Sequence, residues 1–270
     1  MHICMMRYLI LWLWLPLHGF AQKDWTNYLQ PSLDNNFYHP TLNPFSQVNA
    51  NAVLAFTDSG AYGIAFENNY AIKEHSKLHL SLKLKTKNGG WGLHGYAWGS
   101  ELFNVVEIGT AYGIRLNESF GIGTGISVKR DQLRGFSPLY IILPQLGLLY
   151  FISKKLSIGV HIRKSINSYI SDKSMHSQLN QFSTGMGYQL NEKFYLCAEI
   201  IHRPNISPTV ITYTAYAPRN DIWTCISYNS MNNEIQVGLY YRMNKINLGI
   251  GVSNHSYLGN SSYMMMYHGF

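Results

Sequence analysis

Between Glu107 and Glu199 the chain alternates large apolar residues with polar residues or glycines, one position at a time. Val106, Ile108, Thr110, Tyr112, Ile114 and Leu116 oppose Glu107, Gly109, Gly113 and Arg115. Phe120, Ile122, Thr124, Ile126 and Val128 oppose Gly121, Gly123, Gly125, Ser127 and Lys129. Leu156, Ile158, Val160 and Ile162 then oppose Ser157, Gly159, His161 and Arg163, and Phe182–Leu190 repeats the pattern around Gly185 and Gly187. A period of two puts each set on its own face of an extended strand, so this stretch demands a sheet with one apolar face. Three turns punctuate it, at Asn117-Glu118-Ser119, Ser153-Lys154-Lys155 and Asn191-Glu192-Lys193, each set between two large apolar residues. Strand, polar turn and strand in succession is the pattern of an antiparallel meander.

What the apolar face meets is decided by composition. Only 13% of the residues are charged while 14% are aromatic, against about 25% charged in an ordinary soluble domain. A soluble sandwich or propeller needs polar residues on its outer face, whereas Leu, Ile, Val, Phe and Tyr occupy one face of whole strands here. After the first residues there is no apolar run near the ~18 residues that a helical span requires. Aromatic-rich strands with one apolar and one polar-or-glycine face fit a sheet that meets lipid outside and encloses a polar interior.

The N-terminus has the form of a secretory signal peptide over Met1–Ala21: Arg7, an apolar core from Leu9 to Leu17, then Gly19 and Ala21 before a cut at Gln22. Residues 22–46 are polar, aromatic and broken by Pro31, Pro40 and Pro44, which suits a lead-in or plug segment. The barrel is expected over 47–270, with a first strand near Ala61 and Gln47–Thr57 as a further lead-in or plug. No helix is expected after the signal peptide. In the next strand Leu78, Leu80, Leu82 and Leu84 oppose His79, Ser81, Lys83 and Lys85. Tight turns at 88–90, 117–119, 153–155, 191–193 and 244–245 all fall on the side of the C-terminus. The longest connections, expected at Arg130–Tyr140, Ser165–Gln181 and around Asn254–Asn260, fall on the other. Short turns on one side and long loops on the other mark an outer-membrane barrel, with Phe120 and Phe194 placed for an interfacial aromatic girdle. The expected fold is therefore all-β, a single transmembrane antiparallel up-and-down barrel of about 14 strands, range about 12–16, in the cell outer membrane and in contact with its lipid.

Certain motifs resemble a known group. His39-Pro40-Thr41-Leu42-Asn43-Pro44 is similar to the Asn-Pro segment preceding the first strand in small outer-membrane barrels of Bacteroidota. Gly89–Leu93, Glu107–Gly113 and His255–Ser262 resemble later strands and the approach to the last strand in the same proteins. These are the PorP/SprF and PorV/PorQ proteins of type IX secretion, similar in pattern to FadL-like transporters. The resemblance implies either a barrel associated with secretion or the envelope, with protein partners there, or a passive transporter of a hydrophobic or amphipathic small molecule.

The candidate lumen-lining polar residues are His79, Lys83, Lys85, Glu107, Arg115, Lys129, His161, Arg163, Glu199 and Arg242. Charges enclosed in a lumen must be paired or hydrated, so this set reads first as a ladder of ion pairs filling a closed pore. A basic pathway for an anionic amphiphile is the second reading. The inward glycines leave room for a plug or a narrow channel, or ease strand curvature. Catalysis is not expected: His161, Ser165, Ser168, Asp172 and His176 show no spacing that unites a nucleophile, a base and an orienting group. No His or Cys cluster has metal-ligand spacing, so no metal or other cofactor is expected. The basic residues are spread over strands and turns rather than gathered in a patch for nucleic acid. Cys197 and Cys225 read as two buried thiols, with a bridge as the alternative.

Overall fold

The computed structural model describes residues 51–270 apart from 58, 168–179, 192, 220 and 232. The expected signal peptide over 1–21 and the expected lead-in over 22–46 lie outside the described residues.

The strands are β1 (Ala61–Asn68), β2 (Ser76–Thr86), β3 (Gly89–Gly99), β4 (Phe103–Arg115), β5 (Phe120–Leu133), β6 (Leu139–Phe151), β7 (Leu156–Arg163) and β8 (Ile166–Asn167). They continue as β9 (Gln181–Asn191), β10 (Phe194–Arg203), β11 (Ile206–Arg219), β12 (Ile222–Asn229), β13 (Glu234–Met243), β14 (Ile246–His255) and β15 (Gly259–Gly269). Apart from β8, which pairs with β6, each strand pairs antiparallel with the next along the chain, β7 with β9, and β1 closes the sheet against β15, with Ala61 opposite Gly269 and Asn68 opposite Ser262. Both β7 and β8 pair with β6 and form one span interrupted at Lys164 and Ser165, so the barrel has 14 strands. Closure removes the free edges that backbone amides could not tolerate in a bilayer.

Alternation is kept around the wall. Ile64, Leu80, Ile108, Ile126, Leu146, Ile158, Ile200, Ile226 and Ile250 point outward and are exposed, Ile108 by 67%. Their neighbours in sequence point inward and are buried, apart from the half-buried Gly125 and Gly251, which makes the barrel interior the core.

The β2–β3, β4–β5, β6–β7, β9–β10, β11–β12 and β13–β14 turns share one rim with Gly60 and Phe270, which exchange backbone hydrogen bonds of 3.1 and 3.0 Å. Successive turns are tied along this rim: the Arg115 amide donates to Asn88 O, Phe151 to Ser119 O and Gln189 to Lys155 O. Near this rim Tyr62, Trp91, Tyr150, Tyr188, Tyr216 and Tyr241 face outward and are exposed. Phe120 packs on Tyr150 and Phe194 on Tyr216, at ring centroid distances of 6.4 and 6.3 Å. An aromatic girdle at the membrane interface has this form.

Two expected loops are strand instead. Residues 130–133 and 139–140 extend β5 and β6 as a hairpin, and Asn254 and Asn260 pair directly across β14 and β15. Opposite the turn-side rim, β10 and β11 are also joined tightly, through Pro204 and Asn205. Asn205 takes a positive φ of 62°, which asparagine tolerates. Helical turns occur as well. The one inside the barrel, Asn51–Phe56, is a 3-10 helix, and two short ones over Asn69–Ala71 and Lys73–His75 join β1 to β2.

Candidate functional site: the plugged lumen

The 3-10 helix Asn51–Phe56 lies inside the barrel with every residue buried. Its seat is a row of glycines running straight across four strands: Gly90 of β3 pairs with Gly113 of β4, Gly113 with Gly123 of β5, and Gly123 with Gly147 of β6. A Cβ on Gly90 would stand 2.8 Å from the Leu54 carbonyl oxygen. One on Gly113 would run into the Ala55 amide and lie 2.6 Å from the Asn51 carbonyl oxygen. At Gly123 it would overlap the Asn51–Ala52 peptide, and at Gly147 the Asn51 carboxamide. Beside the row, a Cβ on Gly121 would be 2.7 Å from Ala55 Cβ. Glycine is required here because the plug backbone rests directly on the wall backbone. Gly109 and Gly125 instead make room for His94 and Ala111, and Gly187 for Tyr195.

The plug belongs to a hydrophobic cluster with Leu149, Tyr195, Cys197, Ile211, Ala215 and Cys225, and Phe56 meets Phe151 edge-on at 4.8 Å. Both cysteines are buried free thiols. The Asn51 carboxamide is buried without a hydrogen-bond partner among the described residues.

The other half of the lumen is polar. Glu107 on β4 receives Arg163 Nη2 from β7 at 2.6 and 2.7 Å and the Tyr96 hydroxyl at 3.1 Å, and His94 Nε2 stands 3.6 Å away. Lys129 Nζ donates to Asp131 at 3.0 Å, and Gln145 Nε2 to Ser127 Oγ at 3.1 Å. On the far wall Ser227 Oγ and Gln236 Oε1 are 3.1 Å apart, and Tyr240 and Tyr263 share a 3.0 Å hydroxyl contact. Opposite charges from β4 and β7 thus meet inside the barrel, where the buried Glu107 carboxylate needs such a partner and further hydrogen bonds.

The sequence-derived polar residues fall into two groups. His79, Lys83, Glu107, Lys129, His161 and Glu199 are buried on inward strand positions, and Arg163 is half-buried beside them. The structure brings Glu107 and Arg163 together; His79 stacks near the Tyr96 ring at 5.8 Å. Lys85, Arg115 and Arg242 depart from the expectation. They keep the inward register but stand at the last or second-last positions of their strands, where the wall ends, and are exposed at the turn-side rim. Arg242 lies 4.5 Å over the Trp223 ring and donates to Asn247 at 3.1 Å. Sequence reading missed the plug's seat on Gly90 and Gly147 and the partners Tyr96 and His94 of Glu107. The glycine row was present in the sequence but shows only once the register of four strands is set.

Among the described residues no group of three His, Cys, Asp or Glu side chains is placed to hold a metal. Ser165 donates through its amide and hydroxyl to Asn180 Oδ1, at 2.8 and 3.2 Å, and His161 is buried inside the wall. Ser168, Asp172 and His176 lie outside the described residues.

No protein-family model and no curated protein matches this chain. Solved structures do. The chain is similar to the Ralstonia pickettii toluene transporter TbuX at 9% identity and a TM-score of 0.60, over 84% of this chain and 92% of that one. A Pseudomonas aeruginosa FadL homologue gives 9% identity and 0.58, over 84% and 94%. The CymD monoaromatic hydrocarbon channel gives 10% and 0.57, over 81% and 89%. At these identities the likeness is one of fold, and none of the three is described as an enzyme. With the closed 14-stranded barrel, it makes this chain an outer-membrane β-barrel protein.

Proposed function

We propose that the protein works as a barrel shut by its own plug, a structural or envelope-associated outer-membrane component of the PorP/SprF- and PorV/PorQ-like kind. In this reading it serves type IX secretion or envelope assembly through protein partners and does not act as an open pore. The observation that carries it is the glycine row Gly90–Gly113–Gly123–Gly147 under the backbone of Asn51–Phe56. A wall stripped of side chains on four adjacent strands to seat one segment is built for a docked state. The Glu107–Arg163 pair and the polar residues around it then fill the remaining lumen and brace the wall.

A second reading, passive transport of a hydrophobic or amphipathic small molecule, is favoured by the fold likeness to a toluene transporter and a monoaromatic hydrocarbon channel. It requires the plug to leave its seat. Planar-bilayer conductance, hydrocarbon uptake into proteoliposomes and affinity capture from outer membranes separate the two. The first reading expects a silent wild type, conductance on deleting residues 51–57, and envelope or secretion proteins in the captured fraction. Uptake by the wild type with only lipid co-purifying overturns it in favour of transport.

A further inference from the structure

The two rims of the barrel differ in charge. On the turn-side rim the strand-end cations Lys85, Arg115 and Arg242 are joined by the turn residues Lys87, Lys154, Lys155, Lys193, Arg219 and Lys245, all exposed. Among the described residues the acidic groups there are Glu118 and Asp221, and Asp221 is held by Arg219 at 3.0 Å. Adding Glu192 and Asp58 from the sequence still leaves a large basic excess. At the opposite rim exposed Glu74 and Glu101 are balanced by exposed Arg134 and Lys164, among the described residues.

A second observation falls at one place on the basic rim. Leu190, Asn191, Lys193, Phe194 and Tyr216 line an open hollow of about 540 Å³ on the outer wall at the ends of β9, β10 and β11. Its position is fixed by backbone. The Ala217 amide donates to Lys193 O at 2.7 Å and the Gln189 amide to Lys155 O at 2.8 Å, so the β6–β7, β9–β10 and β11–β12 turns stand side by side. Leu190, Phe194 and Tyr216 face outward, where the wall meets lipid, at the level of the aromatic girdle. Lys193 stands at the lip and Lys155 on the adjoining turn. An apolar floor at acyl depth beneath ammonium groups at headgroup depth complements an amphiphile with an anionic head.

Outer-membrane barrels turn their short connections toward the periplasm, and the leaflet on that side is phospholipid. From the charge and the hollow together we infer that the hollow beside Lys193, with Lys155 on the neighbouring turn, binds an anionic phospholipid of the periplasmic leaflet. Its phosphate lies on Lys193 and Lys155, and an acyl chain lies on Leu190, Phe194 and Tyr216. The inference rests on the barrel and its orientation and is independent of whether the lumen conducts.

The test uses the full mature chain, folded in detergent, delipidated and titrated with phosphatidylglycerol or phosphatidylcholine of identical acyl chains, with bound lipid counted by native mass spectrometry. Phosphatidylglycerol is expected to be retained in preference to phosphatidylcholine. The double substitution Lys155→Gln and Lys193→Gln is expected to weaken retention about 25-fold, from about fivefold for each charge near the surface. Lys155→Arg with Lys193→Arg restores it, and Lys87→Gln with Lys245→Gln, on the same rim but away from the hollow, changes it by much less. Heat-modifiable migration confirms that each variant is folded. Equal retention of the two lipids overturns the proposal, and so does an equal loss in the Lys87/Lys245 pair, which would leave only a diffuse field.

Discussion

The seating of the plug is the feature most open to a quantitative challenge, and Gly123→Ala is the smallest change that reaches it. A Cβ at Gly123 overlaps the peptide between Asn51 and Ala52, which is backbone and has no rotamer to yield. Overpacking of this kind costs about 1–3 kcal/mol. Burial of Val53, Leu54 and Phe56, about 1.5–3 kcal/mol each, holds the seat against the ordering of its six residues. A clash of about 1–3 kcal/mol shifts the docked-to-undocked ratio roughly 5- to 150-fold. The expected outcome is frequent opening events in planar bilayers for Gly123→Ala, with the barrel still heat-modifiable and its melting temperature little changed. Gly135→Ala, at a hairpin tip where a Cβ meets nothing within 4 Å, is a control for conductance. Its φ of 84° limits it as a control for stability. A Gly123→Ala protein as silent as wild type would refute the claim that the glycine row holds the plug.

Three further outcomes follow from the wall and the lumen. Glu107→Gln leaves Arg163 without its buried carboxylate and should destabilise the barrel by about 3–5 kcal/mol in urea unfolding. Adding Arg163→Met should recover most of that loss, and a cycle with no coupling would show that the pair does not brace the wall. Ile108→Arg, mid-strand on the outer face of β4, should cost about 2–4 kcal/mol when folding into lipid vesicles, whereas an unchanged stability would place that face away from the bilayer. Cys197 and Cys225 should resist a thiol reagent in the folded barrel and both react after unfolding, and absence of reactive thiol after unfolding would mean a bridge.

The wall was legible in the sequence because lipid outside and packed side chains inside impose opposite demands on alternate residues, as at Leu156–Arg163. That contrast fades where a strand leaves the bilayer. Arg130-Asp131-Gln132 are half-buried polar residues on both faces, so three in a row read as loop although they continue β5 against Asn104–Val106 of β4. Gly259-Asn260, exposed and polar at the start of β15, likewise read as loop. The same loss of wall at the strand ends explains why Lys85, Arg115 and Arg242 keep the inward register yet are exposed. Gln47–Thr57 read as a lead-in or plug, but its helical turn was hidden for a different reason. Ala52-Val53-Leu54-Ala55-Phe56 is apolar throughout because it is surrounded on all sides, and an all-apolar pentapeptide carries no period.

The glycine row and the Glu107–Arg163 pair solve one problem from two directions. A 14-stranded barrel encloses more volume than the side chains of its own wall readily fill, and empty apolar space or unpaired charge inside would be costly. Over the turn-side half of β3–β6 the wall gives up its side chains and a segment of backbone takes their place. Toward the other rim it sends in long charged residues that meet within the lumen over β5 and β6. The two solutions differ in reversibility. The ion pair joins strands that are already fixed in the sheet, so it cannot open without damaging the wall. The plug is attached to the wall covalently only through the chain leading to β1, and its seat is made of contacts alone. If any part of the lumen opens, it is therefore the half lined by Gly90, Gly113, Gly123 and Gly147, and conductance should respond to substitutions there and not to Glu107→Gln.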